Sequence, residues 1–197
     1  MRNEKLVYVL KMCFLVAIET ICCFTPLGSV PIGPIVATTS MIPVIVTALL
    51  FGAKSGMFMG FIFGLYSFIY WTFIMPAFPT AFLFTPFAES AGYKGNFGSI
   101  IICFVPRILI GLTSFLIAKK IRHLLVGDVA ASIVGSFTNT ILVITLIFVF
   151  FGNENPVIAG KGLLAVLGAT ILTNGILEAV LCAVVCPALV RTIKLIK

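Results

Sequence analysis

The chain has 197 residues, of which 61% are hydrophobic and only 10% charged, with a mean hydropathy of +1.24. A soluble domain of this length needs a polar skin that such a composition lacks, so lipid must solvate most of the surface. The formal charge of +7 would suggest nucleic acid in a soluble protein, but Lys and Arg fall here in short clusters between apolar runs. That pattern sets orientation in a membrane, and it removes nucleic acid as a partner.

A helix rising about 1.5 Å per residue needs about 20 apolar residues to cross about 30 Å of hydrocarbon. Six such runs use most of the sequence and leave no room for a separate soluble domain. The expectation is an all-α membrane protein: residues 1–197 as one domain, with six transmembrane helices in one bundle. The first span covers 7–24. It leads into a segment, 25–34, too rich in Pro and Gly to be helical, rather than into a small-residue cleavage site. The second span covers 35–51, with Pro43 near its start, and a Gly52-Ala-Lys-Ser-Gly56 turn leads to the third, 57–75. A long connection holds Pro76, Pro79, Pro86, Glu89 and Lys94. The fourth span, 100–118, ends in Lys119-Lys-Ile-Arg-His123, and the fifth and sixth cover 129–151 and 163–190 around a Gly152-Asn-Glu-Asn-Pro156 loop.

Alternating sides places Arg2, Lys5, Lys54, Lys119, Lys120, Arg122, Arg191, Lys194 and Lys197 together and leaves Lys94 and Lys161 opposite. By the positive-inside bias both termini are cytoplasmic and the long loops face outward. The loop with Phe78, Phe82, Phe84 and Phe87 either folds back over something or lies in the interface as an aromatic belt.

Several residues need an explanation. Gly52, Gly56, Gly60 and Gly64 recur every fourth residue and allow close backbone approach, either within the bundle or to another subunit. Cys13 and Ala17 make a shorter small-residue pair with the same two readings. The other cysteines, Cys22, Cys23, Cys103, Cys182 and Cys186, show neither metal-ligand spacing nor a disulfide framework and read as packing residues.

Charges inside hydrocarbon usually face an interior. Glu19 and Arg107 lie about 9 and 10 Å below the outer ends of their spans, and Lys11 and Glu178 share a level about 21 to 22 Å in. Two ion pairs are open on depth alone. Asn139 and Asn174 lie about 16 Å from a membrane face. Thr170, Asn174 and Glu178 are spaced by four, and Ser132, Ser136 and Asn139 form a comparable stripe. Such stripes either bond to one another or line a cavity. An Arg107 reachable from outside favours the cavity. No phosphate loop or hydrolase motif is present, and His123 sits in a basic turn, so an enzyme is not expected and no cofactor is implied.

Thr25-Pro-Leu-Gly28, Pro31-Ile-Gly-Pro34, Ile42-Pro-Val-Ile45, Gly52-Ala-Lys-Ser-Gly56 and Gly60-Phe-Ile-Phe-Gly64 resemble the substrate-binding S component of energy-coupling factor (ECF) transporters. So do Val105-Pro-Arg-Ile-Leu-Ile-Gly111, Ser136-Phe-Thr-Asn-Thr140 and Thr173-Asn-Gly-Ile-Leu-Glu178. The resemblance covers nearly the whole chain. It implies a six-helix binding subunit in the bacterial plasma membrane. Such a subunit takes a vitamin from outside and docks on a membrane scaffold subunit that carries two ATPases. The docking surface implied is the first span, at Cys13 and Ala17. Similarity is greatest to the pantothenate branch, although relatives there often read His-Ile-Pro-Val where this chain has Met41-Ile-Pro-Val. Arg107 suits a carboxylate-bearing vitamin, with Asn139, Asn174, Thr170 and Phe84 as further substrate-binding residues. Pyridoxine, hydroxymethylpyrimidine and cobalamin stay open as substrates, as does a stand-alone carrier.

Overall fold

A computed structural model describes residues 4–25, 28–32, 35–78, 80–90, 93–121, 124–152 and 163–195, with backbone only at 29–32, 35–37, 90 and 163–166. Arg2, Arg122, His123, Lys161, Lys197 and the loop after Gly152 lie outside the described residues. Five described helical segments are long and apolar enough to cross a membrane. They are α1 (Glu4–Phe24), α3 (Ala53–Ile69, continued by a π turn Tyr70–Ile74), α4 (Phe97–Lys120), α5 (Leu124–Phe151) and a composite last span. That span joins α6 (Leu163–Thr170) through a π turn (Ile171–Gly175) to α7 (Ile176–Leu195).

The second span differs from expectation. Helix α2 runs only from Met41 to Phe51, and 11 residues reach about 16 Å, half the hydrocarbon thickness. Residues 35–38 are extended instead: β2 (Ile35–Thr38) pairs antiparallel with β1 (Ser29–Ile32), Ser29 opposite Thr38 and Ile32 opposite Ile35. The run Ile-Val-Ala-Thr is β-branched at three of four positions, which suits a strand better than a helix. Pro43 falls in the first turn of α2, where its missing N–H has no carbonyl to serve. Met41, Val44, Ile45, Val46 and Ala48 are wholly buried, because α1, α3, α4, α5 and α7 all pack around this short helix. An all-apolar helix is at home in such a place.

The glycine stripe resolves as internal packing. A Cβ on Gly56 would lie 2.6 Å from Ala48 Cβ and 3.2 Å from Gly111 Cα, and one on Gly60 would lie 2.1 Å from the Arg107 carbonyl oxygen. One on Gly64 would lie 3.2 Å from the Cys103 oxygen. Helices α3 and α4 therefore touch backbone to backbone, and the glycines are consumed by that contact. Gly52, with φ of 90°, makes the tight turn from α2 to α3.

Helix α4 starts at Phe97, earlier than its apolar run. The Asn96 side chain accepts from Gly98 N at 2.7 Å while Ser99 Oγ accepts from Asn96 N at 3.1 Å, a reciprocal cap. Ahead of it, the loop with the 3-10 turn Ala81–Leu83 and the short ladder β3 (Glu89–Ser90) with β4 (Tyr93–Lys94) folds back onto the bundle. Ala81, Phe82, Leu83, Thr85 and Ala88 are buried there, and Ser99 Oγ donates to the Phe82 carbonyl at 2.6 Å. Phe78 and Phe87 stay exposed. The aromatic loop is thus a cap on its inner side and a belt on its outer side.

At the opposite end, Tyr8 bonds Ser55 at 2.9 Å, Gly52 faces Phe115, and Asp128 lies within the field of Arg191 and Lys194. Lys5, Lys54, Lys119 and Lys120 belong to the same end, so the described basic residues gather there as their spacing suggested.

Candidate functional site

The site grows from a proline. Pro106 inside α4 has no N–H to give to the Ile102 carbonyl four residues earlier. The next side chain takes that oxygen: Arg107 Nη1 donates to Ile102 O at 2.6 Å. Arg107 is only 7% exposed, and its guanidinium sits between two rings, with Cζ 5.5 Å from the Phe63 centroid and 5.3 Å from that of Phe84. Such stacking holds a planar cation in place while leaving its edge donors free. Arg107 Nε is buried without a hydrogen-bond partner among the described residues. An unused donor on a buried cation is costly in an empty site and useful in an occupied one.

Phe84 comes from the cap and is itself stacked on Trp71 at 5.6 Å and 19°. Thr72 Oγ1 donates to Thr85 Oγ1 at 2.8 Å beside it, tying the π turn of α3 to the cap. Of the residues singled out from sequence, Arg107 and Phe84 are in direct contact.

Asn139 lies on α5, which packs along α4, and its Oδ1 is buried without a partner. Asn174 is half-buried within the π turn, which touches both α5 and β2. Thr170 immediately precedes that turn. The wide turn between Thr170 and Glu178 breaks the uniform pitch that a spacing of four presumed, so these three do not form one straight α-helical stripe. On α5, Ser132 Oγ donates to the Asp128 carbonyl at 2.7 Å, whereas Ser136 Oγ is a second buried orphan.

Neither ion pair suggested by depth forms among the described residues. Glu178 Oε1 instead accepts from the backbone N–H of Thr38 at 2.9 Å, pinning the end of β2 to α7. Glu19 is completely buried; its Oε1 takes a 3.2 Å bond from Cys23 Sγ, and its Oε2 has no partner.

Sequence reasoning missed three participants. Phe63 was hidden in an aromatic-rich helix, Cys23 read as packing, and the Ile102 carbonyl has no side-chain signature. Only the Pro106-Arg107 pair carried a readable signal, a freed carbonyl one turn below an arginine.

A second feature lies on the outer face of the bundle. Cys13 and Ala17 are both exposed, and with Tyr8, Met12, Val16 and Phe58 they line an almost wholly apolar groove of about 420 Å³ between α1 and α3. Only Met12, Leu15 and Glu19 of α1 are buried, which leaves this helix at the periphery.

Sequence comparison gives the context. The family of substrate-specific components of ECF transporters matches over residues 8–190. The chain belongs to that family. It is 35% identical over 158 residues, 80% of this chain and 77% of the relative, to the pantothenic acid transporter PanT of Lactococcus lactis subsp. cremoris (strain MG1363). Its fold is similar to the crystal structure of the S-component for biotin from an ECF-type ABC transporter. There the TM-score is 0.59, identity is 17%, and the match covers 98% of this chain and 94% of the other. This ECF substrate-specific component is accordingly a multi-pass membrane protein with a binding role.

Proposed function

We propose that the chain binds pantothenate from outside the cell as the substrate-specific subunit of an ATP-driven importer in the bacterial plasma membrane. The observation that carries the reading is the Arg107 guanidinium, buried between Phe63 and Phe84 with Nε unpartnered. A carboxylate meets that edge with charge-assisted bonds that a lysine cannot copy. Asn139, Asn174 and Thr170 serve the hydroxyl and amide groups of the ligand, and Phe84 closes over it. The orphaned Asn139 Oδ1 supports such a contact, and the pantothenate transporter among the relatives supports the substrate.

With both termini cytoplasmic, the subunit docks through α1 on a membrane scaffold that carries two ATPases. The apolar groove at Cys13 and Ala17 supports this surface, because small residues let another helix approach closely.

The test is a binding titration on the purified chain. Wild type should bind pantothenate, and Arg107→Lys should bind it about 10- to 100-fold more weakly, the range for a charge-assisted hydrogen bond. Wild-type affinity in Arg107→Lys removes the arginine from the site, and no binding by wild type removes the substrate. In liposomes the chain alone should bind without accumulating; concentrative uptake without ATPases overturns the subunit reading.

A further inference from the structure

Glu19 is not explained by the fold. It is wholly buried in α1, and among the described residues one oxygen is hydrogen-bonded by a thiol while the other has no hydrogen-bond partner. The obvious neutraliser, Arg107, is not its partner among the described residues, and spends one donor on a backbone carbonyl while Nε stays unused. Yet the two belong to one neighbourhood. Cys23, bonded to Glu19, lies in the neighbourhood of the guanidinium. Thr20, beside Glu19, donates to Tyr66 of α3 at 3.0 Å, and the other flank of α3 meets Arg107 through Gly60 and Phe63. Buried Ser40, at the foot of the β1–β2 hairpin, borders the same Cys23.

Glu19 and Arg107 are each buried, each keeps one side-chain atom unpartnered among the described residues, and they do not bond each other, so one ligand with a suitable group at each end would complete both. A carboxylate on the ligand goes to Arg107, since beside Glu19 it would face a like charge. What reaches Glu19 must suit a carboxyl group in either protonation state. A hydroxyl does so through a single atom, donating to the ionised form or accepting from the neutral one.

We infer that Glu19 is a substrate-contacting, specificity-determining residue that hydrogen-bonds a hydroxyl group of an acidic ligand whose carboxylate lies on Arg107. The assignment rests on the pantothenate reading, a ligand with a carboxylate at one end and hydroxyls at the other. It makes the site a two-ended gauge. Acids without a correctly spaced hydroxyl leave the Glu19 oxygen buried and unpaired, which is how a polar site rejects a near-isostere.

The experiment crosses one substitution with two ligands: pantothenate and an N-acyl-β-alanine whose acyl chain has the same branching but no hydroxyl. Glu19→Gln keeps size and shape while weakening the bond. It should reduce pantothenate affinity about 3- to 10-fold, the step from a charge-assisted to a neutral hydrogen bond, and leave the hydroxyl-free acid within about 2-fold of wild type. Glu19→Ala, measured beside it, should show the same ligand dependence. Equal losses for both ligands make Glu19 a structural residue and overturn the assignment, as does an unchanged pantothenate affinity. If wild type binds no pantothenate, the substrate reading falls and takes this assignment with it; if wild type binds and only the Glu19 pattern fails, the substrate reading stands.

Discussion

Replacing Gly60 by Ala adds one methyl group at the tightest point between α3 and α4. The new Cβ would sit 2.1 Å from the Arg107 carbonyl oxygen, 2.7 Å from its carbon and 2.9 Å from Ile108 Cα, whereas ordinary contact begins at 3.4 Å. All three neighbours are backbone, so no side chain can swing aside, and the helices must part by more than 1 Å. Parting them loosens the Gly56–Gly111 and Gly64–Cys103 contacts along the same seam. Overpacking of this kind costs about 1 to 3 kcal/mol. It is opposed by about 1 kcal/mol of helix propensity gained on removing a glycine. The net loss should fall between about 0 and 2 kcal/mol, a lowering of the melting temperature by up to about 8 °C for a chain of this size. Gly168→Ala is the matched control, because among the described residues nothing lies within 4 Å of a Cβ there. It gains the propensity term alone and should melt at or slightly above wild type. Because Gly60 abuts Arg107 itself, Gly60→Ala should also weaken ligand binding by about tenfold or more, equal to about 1.4 kcal/mol. Melting curves and titrations on the three proteins decide it. If Gly60→Ala melts with Gly168→Ala, the backbone contact between α3 and α4 is wrong.

Three further outcomes are expected. Glu178→Leu strands the Thr38 N–H and should cost about 1 to 3 kcal/mol, whereas Glu178→Gln, which keeps an acceptor, should recover most of it; equal melting of the two variants would remove the tie between β2 and α7. Ala17→Trp should fill the groove on α1 and abolish capture of the scaffold subunit while pantothenate binding persists; unchanged capture moves the docking surface elsewhere. Phe84→Leu should remove one of the two rings over Arg107 and the Trp71 stack, weakening binding by about 0.5 to 2 kcal/mol, and wild-type affinity would place Phe84 in the cap only.

The membrane character, five of the six expected spans and the end at which most basic residues gather were legible in the sequence. Each depends on composition along the chain, and solvation by lipid acts on a helix residue by residue whatever its neighbours are. That Arg107 faces the interior of the bundle was legible for the same reason, because a cation in hydrocarbon is costly. Tertiary structure decided what those residues face. Residues 35–38 are as apolar as a helix, and only pairing with 29–32 makes them a strand. The glycine stripe left two readings open, with packing inside the bundle the favoured one, and the seam with α4 is where it is used. Matching depth suggested that Glu19 pairs with Arg107 and Glu178 with Lys11, but depth is one coordinate of three. Rotation about the helix axes sent Glu178 to Thr38, Glu19 to Cys23 and the Arg107 guanidinium between two rings contributed by a helix and a distant loop.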